Sequence, residues 1–99
     1  MTVLVEMDMP MPRELIEALG DKMGMHTRAP EGLVSHVLSE TGEGCHVMDI
    51  WDSPEMFERF RDSELVPQMM SFLQERGMTP PEHLPDPKYT PVYDLVRGS

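Results

Sequence analysis

The stretch from Gly32 to Phe60 restricts this chain more than any other. Leu33-Val34-Ser35-His36-Val37-Leu38-Ser39-Glu40 and Cys45-His46-Val47-Met48-Asp49-Ile50-Trp51 are rich in β-branched and apolar residues, and Thr41-Gly42-Glu43-Gly44 joins them. Two such runs with a short glycine-bearing link read as an antiparallel hairpin. The second run passes directly into Asp52-Ser53-Pro54-Glu55. Ser53 (or Asp52) suits a helix N-cap, Pro54 the first helical position, and Glu55 the electropositive first turn. A hairpin that feeds a helix must find its remaining partners in what is left of 99 residues.

Those partners are legible. Residues 2–8 begin to alternate at Val5-Glu6-Met7-Asp8, which predicts a strand, and Met9-Pro10-Met11-Pro12 ends it. From Arg13, Leu15, Ile16, Leu19 and Met23 recur at helical spacing up to Gly24. Residues 25–31 form a loop before the hairpin. After it, Met56, Phe57, Phe60 and Leu65 line one side of a helix, but Pro67 and the cap-like Asp62-Ser63-Glu64 predict a break near 62–66. A further helix is expected from about residue 65 to 76, ended by Gly77. Residues 78–88 carry four prolines and read as a connector, and Tyr89 to Val96 read as the last strand, with Pro91 at an edge or bulge.

Strand, helix, strand, strand, helix, strand is the ferredoxin-like α+β order: one domain over residues 1–99, four antiparallel strands, helices on one face. The opposite sheet face keeps apolar residues with no helix layer over it, so a homodimer is expected.

Composition removes several function classes. A net charge of −10 gives no basic face for nucleic acid or an anionic membrane. The single cysteine, Cys45, cannot close an internal disulfide. No run of about 18 apolar residues and no basic-then-apolar start predict a cytoplasmic chain with neither span nor leader. There is no phosphate-cradling glycine loop, no nucleophile elbow and no ligand spacing for a metal.

The hairpin tip registers the candidate chemistry. With Gly42-Glu43 at the tip, His36 faces Asp49, Val34 faces Trp51 and Leu38 faces Val47. One face then carries Val34, His36, Leu38, Cys45, Val47, Asp49 and Trp51, and the other Leu33, Ser35, Val37, His46, Met48 and Ile50. His46 is thereby separated from Cys45, His36 and Asp49, which argues against a shared metal. A histidine beside an aspartate on a half-buried sheet is the strongest catalytic candidate. The carboxylate fixes the imidazole tautomer and leaves the second ring nitrogen to take a proton, for instance from a phenol. The same pair also reads as two core groups satisfying each other's hydrogen bonds. Trp51 reads as a stacking platform or as core. Tyr89 and Tyr93 read as donors to a substrate carbonyl or as structural residues. Met56, Phe57, Phe60, Met69, Met70 and Phe72 read as a pocket wall or plain core, and His26 and His83 as loop residues.

Gly32-Leu33-Val34-Ser35-His36, the junction Asp49-Ile50-Trp51-Asp52-Ser53-Pro54-Glu55-Met56-Phe57 and the closing segment Tyr89–Val96 resemble the dimeric α/β-barrel superfamily. Within it, the chain is most similar to the antibiotic-biosynthesis-monooxygenase-like proteins. The resemblance implies a homodimer and a pocket between sheet and helices, with the Asp49/Trp51 face toward that pocket. It implies small, often polycyclic aromatic ligands and, for some members, oxygenation without any cofactor. On that pattern His36 and Asp49 are the catalytic candidates. Val34, Leu38, Val47, Trp51, Met56, Phe57, Phe60, Met69, Phe72, Tyr89 and Tyr93 are the candidate substrate contacts. Haem-degrading relatives use an asparagine on the first strand and a histidine on the second helix. Here the first strand has Glu6 and Asp8 but no asparagine, and residues 53–76 hold no histidine.

Overall fold

The computed structural model describes residues 1–82 and 84–98. Its elements are β1 (Val3–Met9), α1 (Arg13–Met23), β2 (Leu33–Glu40), β3 (Cys45–Trp51), α2 (Pro54–Phe60), α3 (Val66–Glu75) and β4 (Lys88–Pro91). The antiparallel sheet has the order β2-β3-β1-β4. This is the ferredoxin-like α+β arrangement expected from the element order.

Period-two alternation decides which face the helices cover. Val3, Val5, Met7 and Met9 of β1 and Cys45, Val47, Asp49 and Trp51 of β3 are buried, while the residues between them are less so. Ile16, Leu19 and Met23 of α1 close over that face with Phe57, Phe60, Met69, Phe72 and Leu73 from the second helical stretch. Both helical stretches stop on left-handed glycines, Gly24 (φ 72°) and Gly77 (φ 71°), a conformation that side chains resist. The opposite face carries Leu4, Val37, Met48 and Ile50, none of them buried, with Glu6, Asp8 and His46 beside them.

Three expectations are corrected. First, the chain does not break at 62–66. It stays helical through a single π-turn, Arg61–Leu65, in which the Val66 N–H donates to the Arg61 carbonyl. In a regular α-helix the ring of Pro67 would press on the carbonyl four residues back. The wider π-turn ahead of it relieves that contact, and Ser63 Oγ–H donates back to the Arg59 carbonyl at 2.7 Å, a bond that favours bending. Second, β2 carries a bulge between Leu33 and Ser35, so Leu33 rather than Val34 stands opposite Trp51. Beyond the bulge the register holds, with His36 facing Asp49 and Leu38 facing Val47. Third, β4 is short. It ends at Pro91, and after the Val92 N–H donates to the Thr2 carbonyl at 3.0 Å the chain leaves the sheet, so Tyr93 to Val96 are not strand.

Candidate active site

The hairpin brings His36 onto the helix-covered face directly across from Asp49. Its Nδ1 lies 2.6 Å from Asp49 Oδ1. A carboxylate only accepts, so Nδ1 carries the hydrogen and donates, and Nε2 is the nitrogen left with a lone pair. The other carboxylate oxygen, Oδ2, accepts the indole N–H of Trp51 at 3.2 Å. Asp49 is therefore a buried acid held from both sides, at 5% exposure, and His36 is the partly open member, its side chain 26% exposed. A donor on each oxygen offsets the cost of taking the carboxylate out of water.

Trp51 has a different place from the one expected. It is fully buried, stacked edge-on to Phe57 with ring centroids 5.8 Å apart and tilted against Phe60 at 5.4 Å. The ring offers no face to a ligand; its contribution is the N–H that orients Asp49. Two residues apart on one strand, the two side chains point the same way, which makes that bond possible.

A part-open cavity of about 80 Å³ abuts the pair. His36, Asp49, Leu38, Val47, Phe57 and Phe60 line it, as expected, together with Met7, Met9, Ile16, Leu19, Gly20, Met23, Met25 and Leu65. These additional residues come from β1, α1, the turn after it and the π-turn. Their alternation and helical stripe were visible in the sequence, but buried-face periodicity does not distinguish core from cavity wall.

The remaining expected contacts lie elsewhere. Val34 sits at the bulge and is absent from the cavity wall. Met56 packs against the core from outside and borders a separate surface depression with Arg59 and Glu64. Met69 and Phe72 are core residues, Met69 also bordering a groove beneath the proline connector. Tyr89 faces the helix side, edge-on to Phe57, but its hydroxyl donates to Glu58 Oε2 at 3.2 Å. Burial, with the Glu58 charge behind it, pushes the Tyr89 phenol above its ordinary range. Tyr93 is fully exposed. Cys45 is buried with its thiol toward the Met11 carbonyl at 3.7 Å. His46 lies on the open face, His26 is exposed, and His83 lies outside the described residues. Among the described residues no cluster of three or more acidic, histidine or cysteine side chains could hold a metal ion, and no helix is long and apolar enough to cross a membrane.

No protein-family model matches the sequence, and neither does any curated protein. Solved structures do match in shape. A candidate antibiotic biosynthesis monooxygenase from Chloroflexus aurantiacus superposes with a TM-score of 0.61 at 18% identity, over 99% of this chain and 100% of that one. This chain shares its ferredoxin-like α+β fold with that structure. A second candidate enzyme of that kind, from Deinococcus radiodurans, gives 0.56 at 14% identity over 98% and 97% of the two chains. Rv0793 from Mycobacterium tuberculosis gives 0.53 at 23% identity, over 97% of each. At these identities the likeness concerns the fold alone.

Proposed function

We propose that the protein is a cofactor-independent monooxygenase, or a related proton-transfer enzyme such as a cyclase or isomerase, acting on a small aromatic, polyketide-like substrate. The observation that carries this reading is the 2.6 Å bond from His36 to a buried Asp49, itself held by Trp51, at the wall of an apolar cavity. A base needs a fixed tautomer and a nitrogen open to its substrate; the bond to Asp49 would fix the tautomer, and the cavity beside His36 would admit the substrate. Its Nε2 would take the proton of an acidic phenol or of a methylene conjugated to one. The electron-rich anion then reduces O₂, the two combine as a hydroperoxide, and loss of water leaves a carbonyl. Overall R₂CH₂ and O₂ give R₂C=O and H₂O, one oxygen atom going to each product. Proton transfer without O₂ would give the cyclase or isomerase variant with the same base.

The open sheet face supports a homodimer, since Leu4, Val37, Met48 and Ile50 form an apolar patch without a covering layer. Sedimentation at micromolar concentration tests this, and a monomer would contradict it.

Oxygen consumption with a panel of hydroxyarenes and quinols, in wild type and in His36→Ala, tests the enzyme reading. Turnover that survives the substitution removes His36 as base. A second reading, a non-catalytic homodimer that holds a small apolar ligand or a protein partner, draws on the cavity's size. At about 80 Å³ it falls short of the roughly 150 Å³ that admits benzene to an apolar site. Absence of turnover across the whole panel would favour that alternative.

A further inference from the structure

The cavity has a closed floor and a mouth. Met7, Ile16, Val47 and Phe57 are among its buried floor residues, whereas Gly20, Met25, His36, Leu38 and Leu65 keep some exposure and ring the opening. Four of those five bring side chains to the rim. Gly20 brings none.

Gly20 lies within α1, one helical turn beyond Ile16 and three residues before Met23, both of which also line the cavity. Glycine inside a helix weakens it relative to alanine, so its presence wants a reason. Two common reasons are absent. Its φ is not positive; those of Gly24, Gly32 and Gly77 are. Nor does a neighbour press on it, because a Cβ built there meets no atom within 4 Å. The space a side chain would occupy is empty, and it borders the mouth of the cavity. At about 80 Å³ the whole cavity is smaller than the roughly 150 Å³ site that holds one benzene, so a ligand of several rings seated at His36 must extend through the mouth.

We propose that Gly20 determines ligand length, its missing side chain keeping the mouth open for the rings of a planar aromatic ligand that lie beyond the His36 end. The inference rests on reading this cavity as the ligand site, and not on any chemistry at His36. Thioethers at the floor and rim, from Met7, Met9, Met23 and Met25, suit such a ligand because they are flexible and favour aromatic edges.

Calorimetric titration of the full chain under anaerobic conditions reads binding without turnover. The probes are a three-ring phenol, 1,8-dihydroxyanthrone, and a one-ring one, hydroquinone. For Gly20→Ala the three-ring probe is expected to bind about tenfold more weakly, and for Gly20→Leu weaker still, as each fills space the ligand needs. Hydroquinone affinity should stay within about twofold for Gly20→Ala, because a single ring at the His36 end does not reach the position of the added methyl. The Tm of Gly20→Ala should rise by a few degrees, because alanine favours the helix. Unchanged three-ring binding in both variants, or a lower Tm for Gly20→Ala, would overturn the proposal. If wild type binds neither probe, the cavity reading falls and this inference falls with it. If wild type binds and the glycine variants bind equally well, only the role of Gly20 is lost. His36→Ala that still binds the three-ring probe would leave the Gly20 inference standing whatever becomes of catalysis.

Discussion

The two faces of the sheet each carry a histidine against carboxylates, and the two arrangements work in opposite ways. On the covered face, His36 spends one nitrogen on Asp49, and the acid is pinned from its far side by Trp51. On the open face, His46 is bracketed: Nδ1 lies 2.8 Å from Asp8 and Nε2 3.5 Å from Glu6. Two carboxylates on two nitrogens favour the doubly protonated ring, and the Asp8 hydrogen bond is the chief cause that lifts His46 above its ordinary pKa. Such an imidazolium has no lone pair to offer. The first histidine has one ring nitrogen engaged by a carboxylate, the second has both. Identity of residue type says little; the number of nitrogens left unoccupied says most.

The largest effect should separate the two histidines. On any substrate that the chain turns over, His36→Ala is expected to lower kcat by about 10²–10⁴-fold, the usual contribution of a general base, while His46→Ala stays within about twofold. Equal losses, read as oxygen uptake, would dissolve the contrast. Asp49→Asn comes next. It swaps a charged acceptor for an amide between two donors, so turnover should fall by about 10²-fold and unfolding by denaturant should show a loss of about 1–3 kcal/mol. Asp8→Asn, exposed on the other face, should stay within about 0.5 kcal/mol. Trp51→Phe keeps most of the ring packing but removes the N–H, and a loss of about 1–2 kcal/mol is expected, with a smaller fall in turnover than for Asp49→Asn.

The smallest effect concerns pH. Because His46 holds its proton more tightly folded than unfolded, its contribution is fully present below the unfolded value of about 6.5 and is lost as pH rises through the raised folded value. Stability measured across this window should therefore slope downward with pH at this group, and His46→Ala should flatten the slope. The groups facing it are Asp8 and Glu6 on β1, with Ser39 opposite on β2. A slope that survives His46→Ala would place the titration elsewhere.

How much of this could be read from the chain depends on distance along it. The His36–Asp49 pair was legible because a four-residue turn fixes the register of the strands beside it. The bulge at Val34 was not, because nothing in Leu33-Val34-Ser35 distinguishes a regular strand from one that slips a residue. The π-turn was hidden behind Pro67, whose missing N–H predicts interruption equally well as widening. Tyr93 looked like a strand residue by alternation, yet the sheet partner it needs runs out at Thr2. The role of Trp51 escaped for a chemical reason: its apolar bulk predicts burial, and burial conceals that its one polar atom is the useful one. The fold was legible almost throughout; at the site, the dyad was legible and its support was not.

The bond from Trp51 to Asp49 has one more consequence. The chain holds a single tryptophan, so all indole emission comes from a ring whose N–H ends on the acid of the dyad. Protonation or ligation at His36 alters the field along that bond, and the emission maximum should move with it, whereas events at His46 should leave it still. The single indole would then serve as an intrinsic optical reporter of one histidine and not of the other.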